Sequence, residues 1–146
     1  MKRFSLSILM LLAILMCGCT GEPSYKTHSD NGDGTYTNPV IAADFPDPDV
    51  IRVNDTYYFV STTMFIFPGV TLLKSHDLVN WEYCSHAVPR FDYSPCYNLD
   101  GCNRYGHGQW ATSLRYHRGK FYLLFISLDE GGFVCTADRA EGPWTI

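Results

Sequence analysis

Two short segments hold residue types that could do chemistry together. Asp47-Pro48-Asp49 and Trp110-Ala111-Thr112 each immediately precede a run of strand-forming residues. A carboxylate can take or give a proton, and an indole offers a flat apolar face on which a pyranose or furanose ring can lie. Such a pair suits a sugar site. His107 and Gln109 flank Trp110 and carry groups able to hydrogen-bond sugar hydroxyls; the plainer alternative is that both are loop residues. Asp47 followed by proline is also a turn-starting dipeptide. Asp44 and Asp49 read as turn or capping residues, and Asp129-Glu130-Gly131-Gly132 as a hairpin turn rather than a catalytic pair.

These segments need strands to hold them. From Asn38 onward, Val50–Val53, Thr56–Thr63 and Gly69–Leu73 are short β-rich runs separated by Asn-Asp and Pro-Gly breakers. No stretch past the N-terminal leader sustains a 3.6-residue apolar period, so the chain reads as all-β. An internal repeat organises it. The interval from Asp47 to Trp110 also relates Arg52 to Arg115 and Trp81 to Trp144, and Tyr122 follows Tyr58 at one residue more. A unit of four strands recurring as a block predicts propeller blades, whose sheets bury their faces against one another. A β-sandwich would also give short, evenly spaced strands, but not this block repeat. In a propeller the innermost strands begin beside the axis, so Asp47 and Trp110 are expected around one pocket. Trp81 and Trp144 are then expected in the core, with Tyr57, Tyr58 and Tyr122 as contacts between blades. Two four-stranded units are legible, fewer than the ~4–8 that closure requires, so the sequence reads as an incomplete coding region.

The N-terminal end predicts the compartment. Lys2 and Arg3 precede an unbroken apolar run, Ile8 to Cys17, too short to span a bilayer. Met16-Cys17-Gly18-Cys19 resembles the lipobox of bacterial lipoproteins, implying cleavage after Gly18 and a lipid on Cys19; an ordinary signal peptide is the alternative. The expected organisation is a signal segment over 1–18, a polar tether over 19–37 and a folded part over 38–146. Losing residues 1–18 removes Lys2 and Arg3 and no acid, taking the formal net charge from −4 to −6. An acidic protein of this kind excludes nucleic acid as an expected partner. Asp30-Asn31-Gly32-Asp33-Gly34 fails as a calcium loop, because with Gly34 sixth the twelfth position is Val40 and not a bidentate Glu. It reads as a turn. No metal site or cofactor is expected. Cys84, Cys96, Cys102 and Cys135 are either buried thiols or include one loop-closing disulfide across Cys96 and Cys102.

Asn38-Pro39-Val40, Phe45-Pro46-Asp47-Pro48-Asp49-Val50, Tyr57-Tyr58 and Phe67-Pro68-Gly69-Val70 occur in this order, followed by Ser75-His76-Asp77-Leu78-Val79-Asn80-Trp81-Glu82, Trp110-Ala111 and Gly119-Lys120-Phe121-Tyr122. Over Asn38 to Ile146 this series resembles glycoside hydrolase family 43. The resemblance implies a five-bladed propeller, for which units of this length need roughly 315 residues. It implies inversion at the anomeric carbon of β-xylosides or α-L-arabinofuranosides, with Asp47 as general base. A Glu acid ~6.5–9.5 Å away and an Asp that tunes it would come from later blades. Trp110 would line the pocket. Met64 stands where the family often has an aromatic, and Phe65 or Phe67 could fill the same space. The rival reading is a non-catalytic propeller that binds sugar or protein at a membrane surface.

Overall fold

The computed structural model of the chain describes residues 28–64 and 67–146. Among the described residues, seven strands form two antiparallel sheets. The first runs β1 (Asp49–Val53), β2 (Thr56–Val60), β3 (Gly69–Ser75) and β4 (Glu82–Val88) in sequential order. The second runs β5 (Gln109–His117), β6 (Lys120–Ser127) and β7 (Gly131–Ala137). All-β architecture is as the sequence predicts, but the second sheet has three strands rather than four. Its fourth position is marked by a single bridge from Thr136 to Thr145, next to the final residue, Ile146.

Turn chemistry sets the hairpins. Val53 pairs with Thr56 and His117 with Lys120, each across a two-residue turn. Arg118 and Gly119 take φ of 50° and 81°, the double positive φ of a type I′ turn that matches strand twist. Leu128–Glu130 link Ser127 to its partner Gly131, so the Asp-Glu-Gly-Gly stretch is a hairpin turn. Strand β2 stops at Val60, earlier than the β-rich run through Thr63 suggests, because Ser61 and Thr62 leave the ladder to bind Pro46.

The core lies between the sheets. On β6 the period-2 alternation points Phe121, Leu123 and Phe125 inward, where they meet Val60, Val70 and Leu72 of the first sheet. Tyr58 meets Phe121 edge-on across this seam at 5.2 Å, as expected of a contact between blades. Tyr57 instead lies under Arg52 of its own sheet, and Tyr122 faces outward. Trp81 packs on Phe59 and Trp144 on Phe121, each partly buried with its indole N–H tied to a backbone carbonyl. Between β4 and β5, residues 89–108 fold over the end of the core around fully buried Tyr97 and Phe91, and Cys96 is bridged to Cys102. Cys84 and Cys135 are free thiols, both pushed up to about 11 by burial.

Part of the expected tether is folded. Asp30 bridges Tyr36, Asp33 caps Thr35, and the Asn80 amide donates to Asp30, docking this turn on the first sheet. Residues 1–27, with Cys19 and the expected signal segment, lie outside the described residues, as does Phe65.

Candidate active site

Both sheets enter their first strand through the same irregularity. Between Trp110 and Ser113 the β5–β6 register slips by one residue, and Ala111 takes a φ of 43°. In the first sheet Asp49 pairs with Val60, yet the Thr62 N–H donates to Pro46, one residue out of step, and Asp47 takes a φ of 49°. Each is a bulge at the head of an innermost strand, a device that re-aims a side chain. Matching the bulges and hairpins makes the repeat one residue longer here than the tryptophan spacing suggests. Asp47 therefore corresponds to Ala111, Trp110 to Pro46, and Arg52 to Tyr116 rather than Arg115. The tryptophans stand one residue closer because the intervening connections differ in length.

Asp47 is nonetheless linked through Thr62 to Ala111, the residue after Trp110. Its side chain is exposed, and its Oδ2 accepts the Thr62 hydroxyl at 2.9 Å. The same Thr62 oxygen accepts the Ala111 N–H, also at 2.9 Å, from the residue next to Trp110. Trp110 is half-buried, and its Nε1 donates to the Gly106 carbonyl at 2.9 Å. With that donor committed, the ring offers a ligand its face. Met64, also left-handed at φ 52°, is held by Gln109 and Gly108 through backbone hydrogen bonds, so it sits at the same junction. His107 is exposed and paired through Nδ1 with Asp129 at 3.1 Å, which Arg104 also binds.

Two of the proposed sugar contacts are placed elsewhere. Gln109 is fully buried; its Oε1 accepts from the Thr63 N–H, the Thr63 hydroxyl and the Val70 N–H, while its Nε2 donates to Thr112. Its amide is used up in tying the sheets together. Phe67 is in the core, stacked on Phe91 at 4.9 Å, and is no pocket wall.

Asp49 is more than a turn residue. From the first position of β1 its Oδ2 reaches the Leu114 N–H at 2.9 Å, the Arg115 guanidinium at 2.6 Å and the Ser113 hydroxyl at 3.3 Å. Burial acts to raise its pKa, but these donors outweigh burial and hold the carboxyl below the ordinary aspartate value. Beneath the junction, Glu130 accepts the hydroxyls of Tyr97 and Ser127. Burial and then the Glu130 hydrogen bond raise the Tyr97 phenol. Sequence reasoning missed Ser61 and Thr62. Their signal was a hydroxyl run, Ser61-Thr62-Thr63, directly after the aromatic strand and opposite Pro46-Asp47.

Comparison with known proteins bears on the family of the whole described segment. The family model for Glycosyl hydrolases family 43 matches residues 36–146. The chain is 36% identical over 153 residues to a beta-xylosidase of Formosa agariphila, covering 97% of this chain and 26% of that protein. It is 40% identical over 115 residues to a non-reducing end alpha-L-arabinofuranosidase of Bacteroides ovatus, covering 76% of this chain and 21% of that one. A solved bifunctional GH43-CE protein of Bacteroides eggerthii superposes with a TM-score of 0.68 at 48% identity, covering 75% of this chain and 16% of that chain. The chain thus spans about a quarter or less of these relatives. The propeller enzymes of this family supply its structural neighbours, and the chain belongs to glycoside hydrolase family 43.

Proposed function

We propose that this chain supplies the general base of an inverting glycoside hydrolase acting on β-xylosides or α-L-arabinofuranosides, in a five-bladed propeller. One observation carries the reading: Asp47, an exposed carboxylate on a bulged strand head, is held by a buried hydroxyl that is itself bonded to Ala111, next in sequence to Trp110. In this mechanism Asp47 takes a proton from a water. The resulting oxygen nucleophile attacks the anomeric carbon on the face opposite the leaving group. An acid from a segment outside this chain protonates the departing oxygen. Trp110 holds the sugar in ground and transition states alike. We also propose export and lipid attachment at Cys19, which would keep the enzyme at a membrane surface.

The test uses the full-length gene product on aryl xylosides and arabinofuranosides. General-base catalysis contributes roughly 10²–10⁴-fold, so Asp47→Asn should lower kcat by at least about a hundredfold. Binding of product sugar, followed by calorimetry, should persist in that variant. Trp110→Ala should raise KM and weaken product binding. Near-normal turnover in Asp47→Asn would move the base to another carboxylate, and a wild type with no turnover would leave the non-catalytic, sugar-binding reading in its place.

A further inference from the structure

We propose that Thr62 is the positioning residue for the Asp47 carboxylate, which rests on the reading of Asp47 as the base. The argument is one of proton accounting. A threonine hydroxyl has one proton and two lone pairs. The Ala111 N–H, at 2.9 Å, occupies one lone pair of the Thr62 oxygen and fixes its orientation. The single proton is then directed to Asp47 Oδ2 at 2.9 Å. Thr62 is 4% exposed, so no bulk solvent competes for that proton.

The backbone beneath is fixed from the same two residues. The Pro46 carbonyl accepts both the Ser61 hydroxyl at 2.6 Å and the Thr62 N–H at 3.1 Å. That bond pair locks the peptide leading into Asp47, whose φ of 49° a non-glycine residue adopts only when its surroundings impose it. Turn and side chain are thus set by one dipeptide. Among the described residues, Asp47 Oδ1 has no hydrogen-bond partner, and this is the oxygen left to take a proton from water. Thr62 touches neither water nor sugar in this scheme. It fixes the direction in which Oδ1 points, and small errors of placement slow reaction steeply.

The experiment compares Thr62→Val, which keeps the shape and loses the hydroxyl, with Thr62→Ser, which keeps the hydroxyl. Full-length gene product is assayed for kcat and KM on aryl glycosides, with unfolding midpoints and product binding measured in parallel. Thr62→Val should lower kcat roughly ten- to a hundredfold and leave KM and product affinity within about twofold, as expected of an effect confined to the chemical step. Thr62→Ser should recover most of the turnover. Where Thr62→Val does not fold, Thr62→Cys, a weak donor of similar size, takes its place with the same expectation. Normal kcat in Val or Cys, or a serine variant as slow as valine, overturns the proposal while leaving the base intact if Asp47→Asn is inactive. An active Asp47→Asn overturns the base assignment itself, and Thr62 with it.

Discussion

Asp47 and Asp49 are near neighbours in sequence, yet the fold gives them opposite surroundings. Asp47 is exposed with one oxygen free, whereas Asp49 spends its carboxylate on the neighbouring sheet. Of its three donors the Leu114 N–H should matter most, because the Arg115 side chain is 65% exposed and solvent screens its charge. Asp49→Ala should destabilise by about 1.5–3 kcal/mol, the range for a hydrogen bond to a charged group. Because the folded pKa is depressed, this stability is fully present above the unfolded aspartate value of ~3.9. It is lost as pH falls through the lower folded value. The gap in unfolding midpoint between wild type and Asp49→Ala should therefore be wide at neutral pH and close on acidification. A gap that is constant with pH would show that the ionised carboxylate is not what joins the sheets. Asp49→Asn should lower stability while costing kcat far less than Asp47→Asn.

At the scale of elements, strands and turns were legible because their cues are local. Alternating apolar residues, Asn-Asp and Arg-Gly turns, and aromatic runs depend on neighbours in sequence. Asp47 and Trp110 were each legible as strand-head residues because both precede a β-rich run. The bulges were not legible, since a one-residue slip leaves no compositional trace and shows only in the pairing register. Anchoring the repeat on tryptophans carried a loop-length difference into the alignment, and the Arg52–Arg115 match followed from it. Gln109 and Phe67 were misread for a related reason. A polar or aromatic residue beside a site reads alike whether it faces a ligand or the core, and only the partners across the seam, Thr63 and Val70 or Phe91, decide.

Over the whole molecule, the two faces of the second sheet differ in their fate. One is core, while the other exposes Tyr122, Leu124, Ile126 and Val134, each between 38% and 55% accessible. A contiguous apolar face of this kind binds dyes and aggregates when nothing covers it. The isolated 146-residue chain should therefore enhance anilinonaphthalene sulfonate fluorescence. It should also release no nitrophenol from aryl xylosides or arabinofuranosides, since it would hold a base without its acid. Turnover that survives purification and vanishes in Asp47→Ala would refute the division of acid and base between segments. Anchoring is tested on the same scale. Metabolic labelling with a fatty-acid analogue should mark the wild type and spare Cys19→Ala, and equal labelling of both would end the lipid proposal.

The Thr62 hydroxyl that holds Asp47 is itself held by the Ala111 N–H, from a strand that begins only beyond the 89–108 connection. The first sheet can therefore be complete in a growing chain while the hydroxyl that holds its carboxylate is still free to turn. Only when β5 has left the ribosome and docked does the oxygen that orients Asp47 acquire its own restraint. The Asp47 turn belongs to the seam between successive sheets, so a nascent chain makes this carboxylate early and gains control of it late.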